Sequence, residues 1–422
     1  MAYRQTLCAI ALATSMLGAS SAQAQSLREA VLLALSDYPA VLAAQASMQA
    51  AQSEIDRASA QHWPQVGWQG TQSTYSDVTP NPFEPGNTWI QSPTVSVNIW
   101  SGWRIQSEVE QAQALASASD QQKAITLDEV ALLMAESYLN WARLLELVRL
   151  SEDNVKAHRR IAADINKIVR VDTGRRIDAD QAQVRLENAI LFLEQRQAEL
   201  AVLEARVNRL LLGNAPAAPS GVNEKVGQMP ANTQDALAYI DNKHPRIAEQ
   251  LAQVKAAEAQ IRNARSQYSP TVDLTYGKQV NQGTGQGDYV TQLTVNMPIF
   301  SGGSTNAALS GAKAQLQAAQ FRLQETRLTQ RERLISAWSE WVSAQQRQRL
   351  GKRQSDQGQK LVVGYEKQFR VGRRSLLDLL NVQNDLYNYQ TSAINAAFDE
   401  KVARARILAA MGRLASSYQI GQ

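Results

Sequence analysis

The segment "QFRVGRRSLLDLLNVQNDLY", residues 368–387, carries a row of carboxyl and amide side chains beside a series of leucines. Asp378, Asn381 and Asp385 follow one another at spacings of three and four, so they share one face of a helix. Carboxylates arranged in this way attract cations. A charged row more often marks a solvated helix face, and the segment alone leaves both interpretations open.

A second segment, "VDTGRRIDADQAQVRL" at residues 171–186, repeats the G-R-R motif with an aspartate six residues after the glycine. Gly174-Arg175-Arg176 aligns with Gly372-Arg373-Arg374, and Asp180 aligns with Asp378. The two segments therefore look like equivalent parts of a duplicated pattern.

The rest of the chain supports an internal repeat. Residues 26–66 are echoed by residues 232–272, and Ser101-Gly102 is echoed by Ser301-Gly302. A Gly, Pro and Ala-rich stretch separates the halves. We divide the chain into a signal peptide at 1–24, a first repeat at 25–212, a linker at 213–233, a second repeat at 234–414 and a short tail at 415–422.

Each repeat is predicted to run helix, strand, strand, long helix, break, helix. From Ser304 to about Phe369 there is no proline, and strong helix formers dominate. The apolar and small residues of this stretch alternate by three and four, which is typical of a coiled-coil seam; they are Leu309, Ala312, Leu316, Ala319 and Leu323. A helix of this length does not fit inside a globular domain.

Four segments alternate between apolar and polar residues and are predicted to be strands. Alternation fits either a half-buried sheet with a polar face toward water or a transmembrane barrel with an apolar face toward lipid. Four strands cannot close a barrel, so a barrel would need several copies of the chain. The predicted lipid-facing residues are Val95, Val97, Ile99, Val272, Leu274, Leu293, Val295, Met297 and Ile299.

The chain ends and composition exclude several protein classes. Residues 1–24 have the basic start, short apolar run and small residues of a secretory signal peptide. The one cysteine, Cys8, lies inside it, so disulfides and thiol chemistry are not expected afterwards. The net charge of +4 is mild and dispersed, which gives no basis for a nucleic-acid partner. The three histidines are scattered and no catalytic motif occurs, so we expect no enzyme, metal site or cofactor.

Taken together, the paired repeats, two strands per repeat, Ser-Gly after the second strand and the "VGRRSLLDLLNVQNDLY" segment resemble the TolC family of outer-membrane channel proteins. The resemblance implies a mainly α fold with a small β part. Three protomers would share one transmembrane β-barrel, with four strands from each, and a long coiled-coil α-helical barrel in the periplasm. The linker at 213–233 would pack around the middle of that helical barrel.

The resemblance also assigns roles to the opening segment. Asp378, Asn381 and Asp385 would line the periplasmic entrance, where threefold symmetry makes a cation-selective ring. Arg374 would hold neighbouring helices closed against Asp180, with Phe369 in place of an aromatic hydroxyl that would otherwise assist. Gly174, Arg175, Gly372 and Arg373 would lie at the surface near the adaptor protein.

In function, the resemblance implies an exit duct in the outer membrane of a Gram-negative bacterium. The GRR-containing segment looks more like channels of type I protein secretion, driven by an inner-membrane ABC transporter and a periplasmic adaptor. The alternative is the outer-membrane component of a small-molecule or drug efflux pump. The expected partners are two further copies of the chain, outer-membrane lipid, the adaptor, the transporter and the cargo.

Overall fold

We describe a computed structural model of the chain for residues 26–73, 88–223, 227–280 and 287–419. The predicted signal peptide, Cys8 and most of the two loops that connect the paired strands lie outside the described residues. Within them, the predicted order of elements is confirmed in both repeats.

The elements of the first repeat are α1 Leu27–Asp37, α2 Pro39–Ser59, a 3-10 turn Ala60–His62, β1 Gln65–Ser73, β2 Thr88–Trp100, α3 Arg104–Val169, a 3-10 turn Thr173–Arg175 and α4 Arg176–Leu210. The elements of the second repeat are α5 Thr233–Lys243, α6 Pro245–Ser266, β3 Thr271–Val280, β4 Gly287–Asn296, α7 Ser304–Arg370, α8 Leu376–Ala410 and α9 Leu414–Gln419. The fold is therefore mainly helical with a small sheet, as predicted.

The long helix α7 ends one residue beyond its predicted end. Its predicted seam is the less exposed stripe of the helix: Ala312 and Ala319 are buried, and the three leucines between and beside them are half-buried. Small residues at these positions let neighbouring helices approach closely.

The chain divides into two compact units, and each draws segments from both repeats. The first contains the chain up to Tyr38, Asp128–Met229 and the chain from Ser336 onward. Its core includes the fully buried side chains Met134, Tyr138, Ile165, Leu210, Leu211, Leu376, Leu380, Ile407 and Leu408. The second contains Pro39–Leu127 and Pro230–Ile335, with the sheet and the buried side chains Ile105, Ile240 and Leu334.

The sheet is antiparallel throughout, in the order β1-β2-β3-β4. Directly paired residues lie on the same face of a sheet. The pairs Val97–Leu274, Leu274–Leu293 and Val272–Val295 therefore place these predicted lipid-facing residues together on one face. The other face is polar, and there the Asn98 amide donates to the Asp273 carboxylate over 2.7 Å.

Two positions differ from the predicted strand pattern. The predicted strand through residue 300 is wrong at its end, because β4 stops at Asn296 and leaves Met297 and Ile299 beyond it. Pro298 has no N–H to continue the ladder, and β3 offers no partner past Thr271. In β2, a bulge between Asn98 and Trp100 interrupts the alternation, so Trp100 also pairs with Val272 on the apolar face.

Among the described residues, no single helix has the length and apolarity needed to cross a bilayer. One bent pair, Leu27–Asp37 with Pro39–His62, meets that criterion by length and composition when its two parts are taken together.

Candidate functional site

The G-R-R motif of the second repeat forms the turn between α7 and α8. The Gly372 N–H donates to the Phe369 carbonyl over 3.0 Å, and the Arg373 N–H donates to the Gln368 carbonyl over 2.9 Å. This pair of bonds is the Schellman ending of a helix, in which the residue after the cap adopts a left-handed conformation. Gly372 has φ of +73°, so the turn needs a glycine at that position.

Asp378 occupies the first turn of α8, where it forms a capping box with Ser375. The Ser375 hydroxyl accepts from the Asp378 N–H over 3.1 Å, and the Asp378 carboxylate accepts from the Ser375 N–H over 3.3 Å. Hydrogen bonding of the carboxylate by the Ser375 side chain, and then by the Ser375 backbone N–H, lowers the pKa of the Asp378 carboxyl below its ordinary value, with a smaller contribution from the nearby Arg374 charge. Asp378 is therefore held in the charged form at the N-terminus of the helix, which itself favours an anion.

The predicted row on α8 is exposed in the single chain. Asn381 and Asp385 are exposed and Asp378 is half-buried. The other face of the same helix packs into a core cluster through Leu376, Leu379, Leu380, Val382 and Leu386. The Asn381 amide oxygen lies 3.4 Å from Arg185 of α4, which donates to it. The leucines hold α8 in place, and the polar row faces away from the cluster.

Arg374 is not paired with Asp180 within one chain. Its guanidinium donates to the Gln368 amide oxygen over 3.1 Å and lies 4.6 Å from the centre of the Tyr365 ring. Both partners belong to the last turns of α7, so Arg374 ties the turn to the helix before it. Among the residues that the structure describes, Asp180 is exposed and makes no ion pair. The latch between these two residues, predicted to hold neighbouring helices closed, stays a prediction.

Arg175, predicted to lie at the surface near an adaptor, makes contacts within the chain that the prediction did not include. Its side chain is about one third exposed and forms an ion pair with Asp178 over 2.8 Å. The same guanidinium lies 5.8 Å from the centre of the Phe369 ring. Phe369 in turn packs against the core cluster. Arg175 thus joins the turn before α4 to the end of α7, a cation–π contact that the sequence analysis did not find.

The two glycines of the repeated motif have different backbones. Gly174 lies in the 3-10 turn Thr173–Arg175, where its N–H donates to the Asp172 carboxylate over 3.1 Å. Unlike Gly372, it is not in the left-handed region. Arg373 is exposed. The two G-R-R motifs therefore occupy equivalent turns of the two repeats, but the hydrogen bonds of the two turns differ.

Three residues that make these contacts were not predicted from the sequence: Ser375, Tyr365 and Gln368. Ser375 could have been found, because a serine three residues before an aspartate at a helix start is a capping-box signature. Tyr365 and Gln368 give no such signal, since their role depends on where the chain turns back after α7.

A buried carboxylate lies elsewhere in the first unit. Asp128 of α3 is 8% exposed and accepts a hydrogen bond of 2.7 Å from the Ala415 N–H at the start of α9. Burial raises the pKa of Asp128 to about 6, although bonds from the backbone of Ala415 and Leu414 act in the opposite direction. This carboxyl ties the C-terminal helix to α3.

Within the described parts of the chain, no group of three or more His, Cys, Asp or Glu side chains is arranged to hold a metal ion. The candidate functional features of the described residues are the polar row on α8, the two G-R-R turns, and the sheet with one apolar face.

These features define a mainly helical chain built from two repeats, with a four-stranded sheet and long helices. Residues 30–213 and 239–413 match the family model of outer membrane efflux proteins. The chain therefore belongs to the outer membrane efflux protein family.

Curated relatives support this assignment. The chain is 28% identical to the outer membrane efflux protein BepC of Brucella suis over 293 residues, which cover 68% of this chain and 63% of BepC. The match thus spans less than two thirds of BepC. The chain is 23% identical to the probable efflux pump outer membrane protein TtgC of Pseudomonas putida over 348 residues, covering 78% of this chain and 70% of TtgC.

Among solved structures, a crystal structure of CusC superimposes with a TM-score of 0.81 at 18% identity, covering 92% of each chain. At this identity the likeness concerns the fold. The predicted resemblance to outer-membrane channel proteins is confirmed for family and fold. The names of BepC and TtgC favour efflux, which was the alternative, over the predicted type I protein secretion.

Proposed function

We propose that three copies of this chain form an outer-membrane channel that serves as the exit duct of a small-molecule efflux pump. In this proposal the copies share one β-barrel, their helices extend into the periplasm, and an adaptor protein and an inner-membrane transporter engage the inner end. Family membership and the names of the relatives support efflux as the task.

The observation that carries the proposal is the sheet. One face bears valine and leucine side chains in register, including the exposed Val95, Leu293 and Val295. The opposite face bears hydrogen-bonded polar groups such as Asn98 and Asp273. A strand that lies between lipid and a water-filled lumen has an apolar outer face and a polar inner face. A sheet with two free edges is not stable in hydrocarbon, so closure by further copies follows.

The polar row on α8 would then border the lumen at the periplasmic entrance. Threefold symmetry would bring three copies of Asp378 near the axis, where mutual repulsion favours bound cations and disfavours anions. Asn381 and Asp385 would extend the same lining. The turns that contain Gly174, Arg175, Gly372 and Arg373 would lie at this end, where an adaptor could contact them.

The Arg175–Phe369 and Arg374–Tyr365 contacts would restrain the entrance within each chain. Each cation–π contact at an exposed site contributes about 0.5–1 kcal/mol. Restraints of this size suit an entrance that must open when partners bind. An Arg374–Asp180 pair between neighbouring chains would add at most about 1 kcal/mol per pair near water.

The test is deletion of the gene, with two measurements on the same strain. Efflux predicts greater susceptibility to antibiotics, dyes or detergents, with unchanged export of proteins to the medium, and restoration of resistance by the intact gene. Unchanged susceptibility with loss of a secreted protein would overturn the efflux proposal and support type I protein secretion.

A further inference from the structure

A cavity of about 240 Å³ lies within the first unit, where α1, α3, α8, α9 and the linker meet. We call it the linker cavity, because Val222 and Asn223 of the linker line one side of it. Sites for drug-sized ligands measure about 300–1,000 Å³. The linker cavity therefore has room for a small molecule only.

One wall of the linker cavity is apolar and belongs to the core. Five side chains from four helices form it, and each is at most 6% exposed: Leu27, Leu139, Ala405, Leu408 and Tyr418. Core side chains of this kind are close-packed and change position little. A wall of this composition favours a ligand that has an apolar body.

Hydrogen bonds hold the linker and the terminal helices around the cavity. The Leu27 N–H donates to the Ser220 carbonyl over 3.2 Å. The Tyr138 hydroxyl accepts from the Ser220 N–H over 2.9 Å. The Arg28 Nε donates to the Tyr418 carbonyl over 3.2 Å, which joins α1 to α9. The cavity is therefore formed before any ligand enters it.

Arg404 of α8 brings a buried donor without an acceptor to the cavity. One terminal nitrogen of its guanidinium donates to the Gly227 carbonyl over 3.0 Å. Its Nε is buried and has no hydrogen-bond partner among the described residues. A buried donor without an acceptor is costly, and a guanidinium binds carboxylates strongly. An anionic oxygen in the cavity would satisfy this donor.

Lys401 lines the cavity on the same helix, about one turn earlier. Its ammonium donates to the Asn223 amide oxygen over 2.7 Å and lies 4.7 Å from the centre of the Phe398 ring. Burial lowers the pKa of Lys401 below its ordinary value, because the nearby carboxylates of Glu400 and Glu146 compensate for it only in part. An anion beside this ammonium would offset the effect of burial.

The charges around the cavity suit a monoanion. Neither Lys401 nor Arg404 forms an ion pair within the described parts of the chain. Glu400 also lines the cavity, and its carboxylate accepts from the Trp341 indole N–H over 2.9 Å. Two positive charges and one negative charge leave a net charge of +1. A carboxylate matches this charge, whereas a phosphate dianion exceeds it.

We propose that the linker cavity binds a small carboxylate with an apolar body, of the size of a medium-chain fatty acid. The carboxylate would accept from the Arg404 Nε beside the Lys401 ammonium. The hydrocarbon chain would contact Leu27, Leu139 and Leu408. This site goes beyond the proposed channel function and does not depend on it, because all its lining residues belong to one unit of a single chain.

Calorimetric titration of the full chain in a neutral detergent, at neutral pH, tests the charge of the ligand. Octanoate and 1-octanol share a hydrocarbon chain, so a difference between them reports the carboxylate. Octanoate should bind at one molecule per chain and at least about tenfold more tightly than octanol, the ratio that one hydrogen bond to a charged group supplies. Equal affinities, or no octanoate binding below its micelle concentration, would overturn the proposal.

Substitutions in the cavity test the two cations. Arg404→Gln removes the charge and the Nε, while its amide can still donate to the Gly227 carbonyl. It should weaken octanoate binding about tenfold and leave octanol binding unchanged. Arg160→Gln, at an exposed position of α3 in the same unit, is the control and should bind octanoate like the wild type.

A second substitution covers the case in which Arg404→Gln does not fold. Lys401→Gln also removes a charge from the cavity, and its amide can still donate to Asn223. It should weaken octanoate binding as well. Circular dichroism shows which variants are folded, and wild-type affinity for octanoate in a folded cavity variant would contradict the proposal.

Amide hydrogen exchange locates the bound octanoate. Exchange should become slower at α1, at residues 222–223 and at residues 401–408 when octanoate is added to the full chain. Octanoate that binds the apolar face of the sheet would instead slow exchange in the strands. Protection confined to the strands would refute the site in the linker cavity.

Discussion

Asp378 caps α8 and carries the charge that the proposed entrance needs. Its carboxylate accepts from the Ser375 N–H, and the amide oxygen of asparagine could accept the same bond. Asp378→Asn therefore removes the charge and keeps the cap. We expect weaker block by multivalent cations and lower cation selectivity in planar bilayers.

The control for this variant is Glu325→Gln, which removes an exposed charge from α7, in a different unit from the row on α8. It should leave block and selectivity near the wild-type values. If Asp378→Asn behaves like Glu325→Gln, the row on α8 is a solvated face, and its place at the lumen is refuted.

Asp128 makes the stability of the fold depend on pH. Its pKa is about 6 in the folded chain, above the ordinary value of 3.8, so the folded state binds more protons than the unfolded state between these two pH values. Stability should therefore be highest below about pH 4 as far as this group is concerned, and should fall as pH rises to 6. The full difference is at most about 3 kcal/mol.

Asp128→Asn keeps an acceptor for the Ala415 N–H and cannot ionise. Urea unfolding in detergent at pH 5 and pH 7 should show that the wild-type chain loses stability relative to this variant as pH rises. A constant difference between the two proteins across this range would contradict the raised pKa.

At the scale of elements, the two G-R-R turns provide a matched pair of substitutions. Gly372→Ala puts a Cβ on a left-handed residue, at a cost of about 1–2 kcal/mol. Gly174→Ala adds a Cβ to a residue that is not in the left-handed region. This Cβ would lie 3.2 Å from one oxygen of the flexible Asp172 side chain. Amide exchange should show faster opening around residues 368–376 in the first variant and little change around 171–178 in the second.

Phe369 offers a test of the restraint at the proposed entrance. Phe369→Leu keeps an apolar side chain in the core cluster but removes the ring beneath Arg175. We expect cells that carry this variant to become more sensitive to a large antibiotic such as vancomycin. Phe321→Leu, an exposed position of the same helix, is the control. Equal sensitivity of the two strains would argue against a restraining role for the Arg175–Phe369 contact.

The elements themselves were largely predictable. The lack of proline and the apolar residues spaced by three and four predicted α7, and the alternation of apolar and polar residues predicted the four strands. Both patterns depend on local sequence. The contacts at the turns were not predictable to the same extent. Arg374 contacts Tyr365 and Gln368 because the left-handed Gly372 reverses the direction of the chain. The G-R-R motif predicts a turn, but it does not predict which side chains of the preceding helix the arginine will contact.

The internal repeat accounts for the architecture of the whole chain, although one predicted strand boundary was wrong. The fold class followed from duplicated segments at constant offsets. The strand predicted through residue 300 stops at Asn296 because a strand needs a partner, and the single chain supplies none past Thr271. Residues 297–300 have the composition of a strand but lie past the last residue that β3 pairs with.

The proposed function requires this chain to act as a trimer in the outer membrane. Membrane fractionation followed by native mass spectrometry of the detergent-extracted protein measures both properties. We predict recovery from the outer-membrane fraction and a mass equal to three mature chains. Recovery as a monomer in the soluble periplasmic fraction would refute the proposed trimer.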